Sequence, residues 1–292
     1  MKLFRGILCA LLAALMLFAG PVHARFVSLG YVDLPSHEVS AAVVQHVLER
    51  LGYNVGAKKG TVSQVFASVG NGDLGLFVGA TLPGADKADW DEYQENLIKV
   101  TKLYDGARRF WAVPDYVPAS ELKSVVDLGK PSVAEKMDKT IRAPDEDADL
   151  TAGSKNIVEQ YKLDEAGYRF VTAKTADWID GFNRNIAEKK WFVMPLRRPQ
   201  YLNRAARLRV LDEPENLLGG TDKVYLVGHK DLRTRIDKYA YYVLSKMELS
   251  LRAIEEMEAM MATEKMSARD AARQWIGSHP NTLSYWLEPE ER

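Results

Sequence analysis

The sequence predicts an α/β protein of two lobes, each lobe a mixed sheet flanked by helices. Three observations predict it. Short apolar runs alternate with helical periodicities from Phe26 to Val227. Two connections, at 114–118 and near Val210, carry the chain out of one lobe and back. The stretch 231–286 then reads as helical. With 292 residues, 27% of them charged and 47% hydrophobic, the chain is long enough for two compact bodies.

The N-terminus is a separate matter. Lys2 and Arg5, an apolar run over 7–18 and Val22-His23-Ala24 form the pattern of a secretory signal peptide over residues 1–24. It is too short and wrongly flanked for a spanning helix. The single cysteine, Cys9, falls inside it, on the wrong side of the apolar core for a lipid-anchored N-terminus. From Arg25 onward the chain is cysteine-free. Without Lys2 and Arg5 it keeps 37 of its 39 basic residues against 40 acidic ones, a net charge of −3. Such an exported chain suits a bacterial periplasm better than a disulfide-stapled extracellular space. No later segment approaches a membrane span. No basic block is present, which argues against nucleic acid as a partner.

Residues 26–29 are an apolar run for a buried strand, broken between Gly30 and Pro35. Ser36 is then the expected N-cap of a helix with Val39, Ala42, Val43, His46, Val47 and Leu51 at helical spacing, closed by Gly52. Tyr53-Asn54-Val55 starts a second strand. A β-loop-α-β unit implies parallel strands with ligand-binding loops at their carboxyl ends. A helix over 61–69, a strand over 74–78, the loop 79–84 and a helical turn at 90–95 follow. Strands over 97–103 and 109–113 flank the turn Asp105-Gly106. The stiff stretch 114–118 is the expected crossover, so that lobe 1 is 25–114, lobe 2 is 115–209, and 210–292 returns to lobe 1.

In lobe 2 the spacing predicts a helix or 3₁₀ turn at 124–128 and a strand at 140–143. The acidic loop 144–149 opens onto a helix ending at Tyr161. A strand at 168–171, a helix over 175–189 and a strand at 191–195 lead to the loop 196–201. Strands at 208–211 and 223–227 return the chain to lobe 1. One long amphipathic segment over 231–261 and a helix over 267–276, capped by Ser267, complete it. Alternating elements, two crossings and an export signal describe a periplasmic binding protein of Venus-flytrap type, which closes its lobes about a ligand.

Several stretches carry a more specific likeness: GYVD, LERLGYNV, VFASVGNGDLGLFVGATLP, YDGARRFWAVPDYV, SELKSVVDL, IVEQYKL, WFVMPLRRPQYL, LRVLDEP and AARQWIGSHPNTLSYWLE. In this order and spacing the chain resembles the substrate-binding component of glycine betaine/choline/proline-betaine ABC importers, the OpuAC-like family. The resemblance implies no catalysis, no cofactor, a small-molecule ligand and delivery to the transmembrane subunits of an ABC permease, with the protein acting as a monomer. It also implies that a quaternary ammonium group is held by aromatic rings through cation–π attraction.

The residues that would form that box have changed. Leu34 follows Asp33 where the family pattern has Trp, Thr81 replaces the Trp before Leu-Pro, and Trp-x-Pro-His-aromatic becomes Arg197-Arg198-Pro199-Gln200-Tyr201. The glycine-rich loop for the ligand carboxylate becomes Asp147-Ala148-Asp149. A guanidinium at Arg197 repels trimethylammonium and suits a carboxylate, sulfonate or phosphate, while acidic residues near Asp147 favour a cationic or donor-rich end. An amino acid or related zwitterion is therefore expected over betaine. Tyr31, Phe77, Trp111, Tyr116, Trp178 and Tyr201 remain as aromatics in or near the carboxyl-end loops. An intact aromatic box closing on the cleft would refute this expectation.

Each candidate has a plainer reading. Trp111 on an apolar strand can be packing. Arg197 and Arg198 can be a solvated pair, Asp147 can cap the helix that follows, and Asp33 can cap its own loop. Trp275 and Trp286 are expected in the core. His37, His46, His229 and His279 have no metal-ligand spacing, and no nucleophile elbow or phosphate loop is present. The acidic run 145–149 lacks the glycine and distal glutamate of a calcium loop. A ligand sensor without a transport role and an exported enzyme stay open as alternatives.

Overall fold

The computed structural model describes residues 25–145 and 147–289; the signal-peptide pattern over 1–24 lies outside them. In chain order the first body contributes β1 (Arg25–Val32), α1 (Pro35–Arg50), β2 (Tyr53–Gly60), α2 (Val62–Gly70), β3 (Leu76–Leu82), α3 (Lys87–Tyr93) and β4 (Leu97–Pro114). The second contributes α4 (Pro131–Ala134), β5 (Thr140–Pro144), α5 (Ala148–Gln160), β6 (Arg169–Ala173), α6 (Thr175–Ala187), β7 (Met194–Arg198), α7 (Leu202–Ala205) and β8 (Leu208–Val210). The chain returns through β9 (Asp222–His229), α8 (Leu232–Arg235), α9 (Lys238–Lys246), α10 (Leu251–Glu264), α11 (Ala268–Ser278) and α12 (Pro280–Trp286).

The expected β-loop-α-β unit is present, with β1 parallel to β2 from Arg25–Tyr53 to Val32–Gly60. Strand order is β2-β1-β3-β9-β4-β7, with β8 also on β4. The first helix starts earlier than its serine implied. Leu34 is the N-cap, without a side-chain cap, and Pro35 occupies the first turn, where its fixed φ and missing N–H cost nothing. Ser36 is thereby freed and buried. α1 is buried on most of its circumference because the sheet lies on one side and α10 and α11 on the other. Replacing its buried Leu48 by Ala should therefore cost about 2–5 kcal/mol.

Two expectations are corrected. Residues 97–103 and 109–113 are not two strands about a turn but one strand of 18 residues. Asp105-Gly106 forms a register shift within it, which Gly106 absorbs at φ +85°. β4 changes partner there: Ala107 still pairs with Asp222 of β9, and Arg108 pairs with Arg198 of β7. The expected single segment over 231–261 is three helices. Asp237 accepts from Ala240 N–H and Ser250 from Ala253 N–H, so each starts a new helix.

The cores follow from alternation. Past the partner change, Trp111 and Val113 enter a cluster with Leu122, Val125, Ile141 and Ile157. Phe110 and Ala112, on the other face, join Trp178, Phe182, Phe192 and Leu196. The first body has its own pair of cores, one joining α1 with α9–α12 and one built on Val65, Phe66 and Phe77.

Candidate functional site

Where the two bodies meet, the carboxyl end of β1, the start of α1, the stretch after β3, mid-β4, β7 and the start of α5 converge. Arg197 lies at their centre. Its Nη2 donates to Ser36 Oγ at 3.1 Å, and its Nε is 3.9 Å from Asp147 Oδ2. Both charged side chains are nearly inaccessible, at 12% and 7% exposure, so this is a buried pair rather than a surface one. Asp147 also caps α5, accepting from Leu150 N–H at 3.0 Å, so the helix-cap reading and proximity to Arg197 hold together. Beside them Arg109, opposite Arg197 in the β4–β7 register, bonds Asp149 Oδ2 at 2.6 Å.

His37 follows Ser36 into the interior. Its Nδ1 is buried without a partner. Complete burial, and then the charges of Arg197 and Arg109, push its pKa down to about 3, so the ring is neutral. It stacks on the backbone of Gly79, whose φ is +120°; a Cβ there would lie 2.9 Å from the ring. The rest of that loop is fastened by carboxylates. Thr81 N–H donates to Asp86 Oδ2 at 2.7 Å, and Gly84 and Ala85 N–H donate to Asp222. Burial and then the nearby charges of Asp149 and Asp89 drive Asp86 up to about 7, against the opposing Thr81 N–H. Tyr104, fully buried, has its pKa raised by burial and also bonds Ser36.

Not all the sequence candidates gather here. Arg197 and Asp147 meet directly, Leu34 is the N-cap of α1 two residues before Ser36, Thr81 is tied to Asp86, and Tyr201 N–H donates to Glu258 Oε2 at 2.8 Å. Asp33 is exposed and paired with Lys59 at 3.0 Å. Tyr31 is half-buried on β1 beside Lys59 and Glu38. Of the other rings, Trp111, Trp178 and Phe77 lie in the cores and Tyr116 is exposed. Trp111 is 1% exposed and its Nε1–H donates to Ser154 Oγ at 2.9 Å inside the second body. Trp178 Nε1–H donates to Arg142 O at 3.1 Å in the other core of that body. Tyr116 O–H donates to Lys190 O at 2.7 Å, and Phe77 packs edge-on against Phe66. Among the described residues the positions expected to carry rings hold a leucine, a threonine and an arginine bound into a polar network.

Sequence reasoning passed over Ser36, His37, Asp86, Tyr104, Arg109 and Glu258. The one available signal was position: Ser36 and His37 directly follow the loop that ends β1, where α/β sheets present ligands. Among the described residues no helix is long and apolar enough to cross a membrane.

A family model described as the substrate binding domain of ABC-type glycine betaine transport systems matches residues 26–278. The glycine betaine/carnitine transport binding protein GbuC of Listeria monocytogenes is 23% identical over 164 residues, 56% of this chain. That match spans about half, 54%, of the relative's length. Lactococcal OpuAC, in its closed-liganded conformation with glycine betaine, has a TM-score of 0.73 at 22% identity, covering 90% of this chain and 100% of that one. The glycine betaine/L-proline-binding protein ProX of Borrelia burgdorferi has 0.74 at 22% identity, covering 91% and 97%. At these identities the likeness establishes the fold, α/β and two-lobed in the manner of periplasmic binding proteins, and the matched family is one of solute-binding proteins. Matched from 26 to 278, the chain belongs to the substrate binding domains of ABC-type glycine betaine transport systems.

Proposed function

We propose that this protein is the periplasmic solute-binding component of an ABC importer, taking a small zwitterion between its lobes and delivering it to the permease as a monomer. One observation carries the choice of ligand: Arg197, buried and bridging Ser36 of α1 to Asp147 of α5, sits at a position where the family pattern has a ring. A guanidinium cannot face a trimethylammonium group without repulsion, and its planar fork suits a carboxylate or sulfonate. The contact to Asp147 is long at 3.9 Å, and Asp147 already serves α5, so a ligand anion has room to compete for Arg197. Asp147 and Asp149, each facing an arginine, favour a cationic end that shares their charge. Amino-acid-like zwitterions meet both demands.

Binding without turnover belongs to this proposal and is supported by the matched family, one of solute-binding proteins. Export by the peptide over 1–24 belongs to this proposal. So do the lobe limits 25–114, 115–209 and 210–292; the change of β4's partner between Ala107 and Arg108 favours a first crossing inside that strand.

A thermal-shift screen of the mature protein tests the ligand. Glycine betaine, choline and proline betaine are compared with amino acids, sulfonates and phosphonates. At about 100-fold excess over Kd, binding adds about 2.7 kcal/mol, which raises the Tm of a chain this size by roughly 5–10 °C. A rise with an amino acid or sulfonate that Arg197→Ala abolishes supports the proposal. A rise with betaines that survives Arg197→Ala overturns it.

A further inference from the structure

Two buried acids fasten the segment that carries Arg197. Glu255 and Glu258 lie three residues apart on one face of α10, 4% and 3% exposed. They face the connection from β7 to α7, which belongs to the other lobe. Glu258 Oε2 accepts from Tyr201 N–H, and Glu255 is bonded by the backbone of Gln200 and the side chain of Asn203. Asn203 in turn donates to Arg197 O at 2.9 Å, so the grip reaches Arg197 directly.

The seam is short of donors. Glu255 Oε1, Glu258 Oε1 and Gln200 Oε1 are all buried without a partner. An ionised carboxylate is acceptor-only, so with Glu258 charged these oxygens have nothing between them. A protonated Glu258 still accepts from Tyr201 and adds one O–H donor to the seam. The charged and titratable groups facing Glu258 are Arg197, Glu255, Tyr104 and Tyr201; Arg198 and Arg204 face Glu255, and Asp180 faces Tyr201. Burial outweighs Arg197 and raises Glu258 to about 7.

We propose that Glu258 is a positioning residue for the interlobe site, gripping the β7–α7 connection when its carboxyl carries a proton and loosening lobe closure when it is ionised. The proposal deepens the reading of the chain as a two-lobed solute-binding protein and rests on it. When the lobes part, Glu258 meets water and returns to about 4.3. Closing thus takes up a proton between about pH 4.3 and 7. Closure is favoured on the acid side and weakens as pH rises through 7. For one such group the closed-to-open ratio falls about tenfold between pH 6 and 8.

The chain from Arg25 has no cysteine, so Asn54→Cys and Val126→Cys, one exposed site in each body, accept spin labels cleanly. Interlobe distances are measured by pulsed electron resonance from pH 5 to 8.5 without ligand. In the otherwise native protein the distance lengthens as pH rises through 7. Glu258→Gln, neutral and a donor at every pH, stays closed throughout, and Glu258→Ala is open throughout. Circular dichroism melts confirm that each variant is folded, and Glu255→Gln, which leaves Glu258 in place, still titrates. Distances that ignore pH in the native protein overturn the proposal, as does a Glu258→Gln variant that titrates like it. A failed ligand screen with a pH-dependent distance overturns only the choice of ligand, whereas pH-independent distances in a protein that closes on a ligand overturn only the role of Glu258.

Discussion

Trp111→Phe separates a packing role from a binding one. The substitution removes Nε1–H, the donor to Ser154 Oγ, in a place where Ser154 is fully buried. Leaving that hydroxyl without its partner costs about 1–3 kcal/mol. The smaller ring also vacates space beside Val113, Leu122 and Ile157. Two or so carbon equivalents at roughly 0.8 kcal/mol each add about 1.5 kcal/mol before any cavity is counted. The sum, about 2.5–4.5 kcal/mol, is a large fraction of the 5–15 kcal/mol that holds an ordinary domain together. Urea unfolding followed by intrinsic fluorescence reads it as a lower midpoint with an unchanged slope. Ligand-induced stabilisation in the same variant should be the same in degrees as in the native chain. An unaltered midpoint, or a midpoint retained while ligand stabilisation disappears, would refute the assignment of Trp111 to the core.

Other substitutions test the seam. Asp86, held near 7 by burial, destabilises the folded state once ionised, since its unfolded counterpart titrates near 3.9. Stability should fall as pH rises from about 4 through 7, by on the order of 4 kcal/mol at pH 8; Asp86→Asn, which still accepts from Thr81 N–H, should flatten that profile in thermal melts. Asp147→Asn keeps a competent N-cap but removes the charge facing the buried Arg197, and Asp147→Ala removes both, so each should lower Tm and Asp147→Ala should cost about 1 kcal/mol more than Asp147→Asn. If the two variants melt alike, the cap is not what Asp147 contributes. Gly79→Ala meets both a φ of +120° and the His37 ring at 2.9 Å, so it should cost more than about 1 kcal/mol and disturb the His37 resonances in NMR spectra.

The elements that the sequence made legible are those decided locally. The parallel β1–α1–β2 unit was written in a strand run, a break at Pro35 followed by a serine, and a glycine at the helix end, although the helix itself begins at Pro35. Asp105-Gly106 looked like a turn because its residues are turn formers; pairing with β9, more than a hundred residues away, made it a bulge instead. Asp237 and Ser250 were visible capping residues, but continuous amphipathic spacing masked the breaks they make. The rings were harder still. A strand with a core on each face reads as an unbroken apolar run, so nothing in the neighbourhood of Trp111 distinguished a core wall from a cleft wall. Glu258, His37 and Asp86 were invisible for the same reason reversed: each lies in a polar stretch, and only partners distant in sequence bury it.

Charge balance narrows what the seam can hold. Arg109 and Arg197 oppose Asp147 and Asp149, two positive groups against two negative ones, with His37 neutral between them. A closing cleft that trapped a net charge beside these groups would leave it uncompensated in a low-dielectric space, at a cost of several kcal/mol. On the proposed reading a ligand neutral overall but charged at both ends keeps the balance, its anion sharing Arg197 and its cation sharing the aspartates. Betaine satisfies the same sum, so charge alone does not reject it. On the proposed reading geometry disfavours it: a methylated nitrogen offers no N–H to Asp147 or Asp149, and no ring stands at 34, 81 or 197 to accept it instead. An ammonium bearing hydrogens uses the carboxylates that are there. As pH climbs past 7, Asp86 and Glu258 add negative charge around the site, so the same balance that selects a zwitterion near neutrality should exclude anions most strongly in alkaline solution.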